Sequence, residues 1–256
     1  MKLFKTALLL SLIAIVFSCN SDKKLSELAS ESSMNTAEES IKVIPITHGT
    51  LILETESEVI YIDPTGGAKA FKGQKSPSLV LITDIHGDHL STSTLEALKL
   101  SDITIVAPKA VTDKIPSTIS QQIQTLNNGE HFTHSGIDIE AIPMYNLREE
   151  AKKFHAKGRG NGYVLTIDGE RVYISGDTED IPEMRQLKDI DKAFVCMNLP
   201  YTMTVESAAS AVLEFKPKTV YPYHYRGTEG LSDVKLFKEL VNKGDISILV
   251  ELLTWY

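Results

Sequence analysis

A chain of 256 residues, 42% of them apolar and 23% charged, has the profile of a globular protein that can bury one large core or two small ones, which excludes disorder as its default state. Acidic residues outnumber basic ones, 34 to 26, for a formal net charge of -8 at pH 7. A polyanion needs a basic surface, so no nucleic-acid partner is expected, although a local basic patch is compatible with the total.

Lys2 and Lys5 precede an apolar run from Ala7 to Phe17, and Ser18-Cys19 follow. The run is too short to span a bilayer and reads as a signal peptide. A small residue directly before cysteine resembles the lipobox of bacterial lipoproteins. That resemblance implies lipidation of Cys19 as the mature N-terminus and a membrane-anchored lipoprotein of the cell envelope, periplasmic or surface-facing. An ordinary secretory signal that contains a cysteine is the alternative, and both take the chain out of the cytoplasm. After the signal peptide (1–19), residues 20–40 are mostly Ser, Glu, Lys, Asn and Ala. They bury too little to fold alone and read as a flexible tether. The folded domain is expected over 41–256, with no internal repeat and no second boundary. Cys196 is then the remaining cysteine, without a disulfide partner, and within the apolar run 193–197 it is expected to pack as a small hydrophobe.

The domain opens with strand-like segments at 42–46, 50–54 and 59–63, and a buried strand is expected at 78–83. Ser91 or Ser93 can cap a helix over 95–100, and 103–107 returns to strand. Strands follow at 137–143, 163–167 and 171–175, the last two joined by Asp168-Gly169, the pair a type I′ turn prefers. His131 and His134 fall in what reads as an exposed polar turn. The final third alternates: strand 193–198, helix 205–215, strand 219–223, helix 233–242, strand 246–252. Ala208, Val212 and Phe215 illustrate the helical spacing of apolar residues. Meander-like strands followed by strand-helix alternation imply layered α and β structure with mixed sheets.

Between the fourth strand and the first helix stands Asp84-Ile85-His86-Gly87-Asp88-His89. With an extended backbone, Asp84, His86 and Asp88 point to one side, and Gly87 lets the chain bend so that His89 joins them. Such groups at a core edge are costly to desolvate unless paired or holding a metal. A solvated polar turn is the alternative.

At these residues the sequence resembles the metallo-β-lactamase superfamily, whose signature His-x-His-x-Asp-His follows a strand. Tyr61-Ile62-Asp63-Pro64 resembles the family's strand-ending Asp, which supports the metal loop. Ser175-Gly176-Asp177-Thr178 resembles the segment whose carboxylate bridges two metals, and Pro222-Tyr223-His224 the final histidine. The resemblance runs from Ile41 to the C-terminus, and its nearest branch is the ascorbate-phosphate-lactonase-like hydrolases. It implies an α/β (α+β) fold, an αββα four-layer sandwich of two mixed β-sheets flanked by helices, holding one or two divalent metal ions. One site would use Asp88, His89 and His224, with Asp177 bridging or completing it. The other would use Asp84, His86 and Asp177, with Asn146 or His155 as fourth ligand. Asp84 and Asn146 depart from the pattern, each standing where a His is expected. Zinc is the expected metal, and the oxygen-rich site is compatible with manganese or iron.

The implied chemistry is hydrolysis of a small ester, lactone or phosphoester by a metal-activated hydroxide, with Asp88 or Asp84 accepting its proton. His48, at the mouth of the first hairpin, matches a catalytic-site His of this branch; a hydrogen-bonded structural histidine is the alternative. Lys157 and Arg159 lie in a Gly-rich basic stretch, Lys152 to Gly162, that can hold a phosphate or carboxylate, and Tyr201 and Arg226 complete the candidate substrate-binding residues. A solvated surface loop is the other reading of that stretch. Competing functions are a phosphodiesterase acting on lipid or nucleotide and a non-catalytic metal-binding protein that retains the fold.

Overall fold

The period-two alternation of each strand decides which layer it faces, and it sorts residues 40–256, the part of the chain that the computed structural model describes, into two sheets around a shared core. The expected signal peptide, the lipid-bearing Cys19 and all but the last residue of the tether lie outside the described residues.

One sheet takes six strands in chain order: β1 (Lys42–Thr47), β2 (Thr50–Glu54), β3 (Val59–Ile62), β4 (Leu79–Leu81), β5 (Thr104–Ala107) and β6 (Ile123–Thr125). The first three form an antiparallel meander, and pairing is parallel from β3 to β6. The other sheet contains β7 (His131–His134), β8 (Ile137–Met144), β9 (Gly160–Ile167), β10 (Glu170–Ile174), β11 (Lys192–Cys196), β12 (Thr219–Tyr223) and β15 (Leu249–Val250), in the order β15-β12-β11-β10-β9-β8-β7. A small hairpin, β13 (Arg226–Gly227) and β14 (Gly230–Leu231), stands apart. Both large sheets are mixed, since β7 to β10 pair antiparallel and β10 to β15 parallel.

Leu51, Leu53, Ile60, Ile62, Leu79, Leu81 and Val106 share one core with Ile139, Leu165 and Val172 of the facing sheet. Their strand neighbours Ile52, Tyr61, Val80, Ile82 and Ile105 turn the other way, onto Leu95, Leu100 and Val111. Those last residues lie in or beside α1 (Thr92–Leu98) and α2 (Lys109–Thr112). Beyond the short α3 (Pro182–Arg185), helices α4 (Val205–Phe215) and α5 (Val234–Gly244) bury Ala208, Val212, Phe215, Phe237 and Val241 against the seven-stranded sheet. The result is the αββα sandwich. At roughly 1.5–3 kcal/mol for each large apolar side chain removed from water, this double-sided burial fixes the strand ends that carry the site.

Local signals held where they were strong. Asp168 and Gly169 both take positive φ, 50° and 86°, in the two-residue turn joining Ile167 to Glu170. The Ser91 side chain accepts from the Thr94 amide at the start of α1, which begins three residues before the expected helix. Two expectations change. His131 and His134 lie on β7 instead of a turn, paired with Glu140 and Ile137. The expected strand at 246–252 shrinks to Leu249–Val250, because Ile246 is 80% exposed and has no sheet face to cover. The segments of two to four residues α2, β6, α3, β13 and β14 are too short to show a periodicity.

Candidate metal centre

Every site residue lies just past a strand end or in a loop at one rim of the sandwich. His48 joins β1 to β2, Asp63 ends β3, residues 84–89 follow β4, His155 lies between β8 and β9, Asp177 follows β10, and His224 follows β12.

The loop after β4 stays extended through Asp84 and then turns at His86, whose carbonyl accepts from the amides of both His89 and Leu90. The turn splits the motif. Asp84 and His86 group with His155, while Asp88 groups with His48 and His224, and His89 with Asp177 and His224. The expectation that Asp84, His86 and Asp88 project together is therefore corrected: the bend at 85–86 and the turn over 87–89 end the alternation before Asp88.

In the deeper group, His89 Nε2 and His224 Nε2 are 3.2 Å apart. Asp177 approaches each of them at 3.4 Å, and Asp88 Oδ2 is 3.4 Å from His224 Nε2. His89, His224 and Asp177 are buried. Behind His89, Asp63 Oδ1 accepts from the Thr83 amide at 2.7 Å, and Oδ2 accepts from Thr83 Oγ1 at 2.6 Å and from His89 Nδ1 at 2.7 Å. A carboxylate can only accept, so the proton of neutral His89 sits on Nδ1, and the Nε2 lone pair faces the other donors. Two imidazole nitrogens and carboxylate oxygens then converge on one point. Tetrahedral bonds of about 2.0–2.1 Å place neighbouring ligand atoms about 3.3 Å apart, which is the spacing found, so the donor set fits a divalent cation.

Electrostatics point the same way. Burial works to lower the His89 pKa, yet the carboxylates of Asp177 and Asp63 hold it well above the usual value. Burial works to raise Asp177 and Asp88, yet His224 and His89 drag Asp177 far down, and hydrogen bonds from His224 and His48 do the same to Asp88. These anions demand positive charge at the centre. Gly49 permits the close approach, since a Cβ there would lie 2.8 Å from His224 Cδ2.

The second group is built differently. Asp84, fully buried, accepts from His86 Nδ1 at 2.8 Å and from Arg159 through Nε at 3.1 Å and Nη2 at 2.9 Å. His155 Nε2 faces Asp177 Oδ2 at 3.2 Å and Asp84 Oδ2 at 3.9 Å, while its Nδ1 lies 3.1 Å from the Tyr201 carbonyl. The Asn146 amide donates to the carbonyls of Ala151 and Tyr201 at 2.9 and 2.6 Å. Asn146 thus braces the loop behind His155, and His155, not Asn146, presents a nitrogen toward the carboxylates.

A cavity of about 290 Å³ opens over both groups, lined by His86, Asp88, Phe154, His155, Asp177, Asn198 and Tyr201. Of the candidate substrate-binding residues, only Tyr201 lines it. Arg159 is committed to Asp84 and to the Phe154 carbonyl. Lys157 pairs with Glu183 at 2.7 Å on the surface, and the Arg226 guanidinium lies 4.0 Å over the Tyr256 ring. The glycines of the basic stretch serve the fold. At Gly160 a Cβ would meet the Thr83 carbonyl at 2.9 Å, and Asn161 N donates to that same oxygen, tying the two sheets together beneath the site. Cys196 is buried, its thiol pushed up by burial to about 12, as a packing residue rather than a nucleophile.

His48 Nε2 lies 3.2 Å from Asp88 Oδ2, and its ring centroid is 3.8 Å from that of His224. Sequence reasoning missed two neighbours. Glu179, buried, accepts from the amides of Leu147 and Arg148 and fixes the loop after β8. Tyr256 Oη reaches His48 Nδ1 at 2.7 Å. Neither carries a local motif, so only tertiary structure reveals them.

Comparison with known proteins agrees with this geometry. A family model described as "Beta-lactamase superfamily domain" matches residues 42–224. A UPF0173 metal-dependent hydrolase from Pyrococcus abyssi is 30% identical over 223 residues, covering 83% of this chain and 96% of its own. Among solved structures, a Parabacteroides distasonis chain assigned as a metal-dependent hydrolase is 40% identical with a TM-score of 0.74, covering 83% of this chain and 92% of that one. Igni18, a metallo hydrolase from Ignicoccus hospitalis, shares the fold at TM-score 0.69 and 23% identity, covering 83% and 94% of the two chains.

Proposed function

This chain belongs to the beta-lactamase superfamily, of metallo-β-lactamase fold, and from that premise we propose that it is a metal-dependent hydrolase of a small ester, lactone or phosphoester. The observation that carries the reading is the convergence of His89 Nε2, His224 Nε2 and Asp177 at 3.2–3.4 Å beside a cavity of about 290 Å³. A space of that size, at the low end of ligand pockets, fits a small substrate.

Asp88, His89, Asp177 and His224 would hold the first ion to bind, with two carboxylates balancing a divalent charge. Asp84, His86 and His155, sharing Asp177, would hold a second more weakly, because Asp84 is already paired with the Arg159 guanidinium. Zinc suits the histidine-rich group, and manganese or iron the oxygen-rich one. When bound, such a metal lowers the pKa of water towards neutrality and polarises the scissile carbonyl or phosphoryl oxygen. Asp88, 40% exposed and on the cavity wall, would be the carboxylate placed to orient a water there and accept its proton, with His48 holding its Oδ2. Asp84, the other candidate for that role, is sealed against Arg159 and serves as ligand and charge partner. Phe154 and Tyr201, edge to face at 5.0 Å, supply the apolar wall for the substrate.

Metal-reconstituted protein, assayed against lactones, aryl esters and phosphodiesters, is expected to turn over one of these classes and to stop on chelation. A metal-loaded protein inert to the whole panel would remove the hydrolase reading. The apolar run and Ser18-Cys19 support a cell-envelope enzyme anchored through lipid on Cys19. Cys19→Ser is expected to give a soluble product or an uncleaved precursor, and unchanged membrane fractionation would remove the anchor.

A further inference from the structure

His48 sits in a tight two-residue turn at φ 50°, a conformation uncommon for a residue with a side chain. Its backbone carbonyl accepts from the His224 amide at 3.3 Å, so the turn is tied to the metal centre by main chain as well as by ring contact. Its two ring nitrogens face unlike partners: Nε2 meets the Asp88 carboxylate at 3.2 Å and Nδ1 the Tyr256 hydroxyl at 2.7 Å. An ionised carboxylate only accepts, so in the neutral ring Nε2 carries the hydrogen and Nδ1 keeps a lone pair. The phenol is the partner that can fill it. Tyr256 is itself held in place, with the Arg226 guanidinium 4.0 Å above its ring and the Tyr225 ring edge-on at 5.0 Å. Burial raises its hydroxyl to about 12, which keeps it a donor.

We propose that Tyr256 is a positioning residue of the metal centre: its hydroxyl donates to His48 Nδ1, holds the Nε2–H ring in its place and orientation, and so aims the Asp88 carboxylate at His89 and His224. Asp88 thereby receives on the exposed side what Asp63 gives His89 on the buried side, an outer partner that sets a ligand's direction. Arg226, expected to touch substrate, acts instead by clamping the Tyr256 ring. Tyr256 lies beyond the residues matched by the family model, which end at 224.

The consequence for metal affinity rests on the reading of Asp88 as a ligand, whereas the hydrogen bond from Tyr256 to His48 does not. The test therefore has two arms. In the first, ¹⁵N-histidine NMR of metal-free protein is expected to show His48 protonated on Nε2 with Nδ1 shielded by an accepted hydrogen bond, and in Tyr256→Phe to show the Nδ1 resonance moved downfield towards that of an unbonded imidazole nitrogen. Phe keeps the ring under Arg226, and circular dichroism confirms the fold. In the second, chelator competition with zinc is expected to show about a tenfold loss of affinity in Tyr256→Phe, and a smaller loss in Arg226→Gln. An identical His48 Nδ1 resonance in wild type and Tyr256→Phe overturns the proposal. A shifted Nδ1 resonance with unchanged zinc affinity overturns the link to Asp88. Absence of zinc binding in the wild type overturns the metal reading itself, while the first arm still decides whether Tyr256 sets the ring.

Discussion

Asp177→Asn is expected to strip both groups of donors at once. One carboxylate faces His89 and His224 on one side and His155 on the other, at 3.2–3.4 Å. The amide replaces an anion with a neutral group that offers a single oxygen. A closed zinc site worth about 10–16 kcal/mol, divided over its ligands, assigns roughly 2.5–4 kcal/mol to each, or about 10²- to 10³-fold in affinity. The loss is readable without substrate. A metal present at 1,000 times its dissociation constant stabilises the fold by about 4 kcal/mol, which for a domain of this size raises the melting temperature by roughly 8–16 °C. Wild type is expected to show that rise on adding zinc, and Asp177→Asn at the same zinc concentration a rise of only roughly 1–6 °C. An undiminished rise in the variant would mean that Asp177 is not a ligand.

Asp63→Asn is expected to damage the same centre from behind while leaving the packing almost unchanged. The wild-type carboxylate takes hydrogens from Thr83 N, Thr83 Oγ1 and His89 Nδ1. The isosteric amide can still accept from the Thr83 amide, but its NH₂ group then faces the other two partners. His89 Nδ1 becomes an acceptor, and its proton moves to Nε2, the atom that must be bare to bind a metal. Outer partners of this kind change metal affinity by about 10- to 100-fold. The discriminating result is a large loss of affinity with the apo melting temperature held within a few degrees. A collapse of apo stability with normal affinity in the surviving folded protein would assign Asp63 to folding alone.

How far the centre could be read from sequence depended on whether a residue's partner lay nearby in the chain. The Asp84-to-His89 segment was legible because several donor side chains crowd the end of an apolar strand, and Asp63, Asp177 and His224 because each follows a strand in a recognisable order. The division of the motif into two groups was not, since it turns on a local bend at His86. Arg159 read as a substrate ligand because a guanidinium beside glycines can hold an anion. The anion it holds is Asp84, brought to it only by packing one sheet on the other. Asn146 read as a weakened ligand, and it is the brace of His155, a relation set by the loop that contains both. Tyr256 left no trace at all, because an isolated aromatic residue far from the motif has no local pattern to betray it. Layered α and β structure with mixed sheets was legible from alternation and helical spacing, and the sandwich from the resemblance that the motifs carry. Its edges β6 and β7 were not, because strands of three or four residues carry too little pattern, and the edge strand β15 was read too long.

The most direct test is metal content by elemental mass spectrometry on the purified protein, beside Asp177→Asn. At least one divalent ion per chain surviving dialysis, a second retained only in excess metal, and none in the variant are the results expected of a hydrolytic centre built on His89, His224, Asp88 and Asp177. A wild-type chain that holds no metal after reconstitution with zinc, manganese and iron would contradict it and leave only the fold.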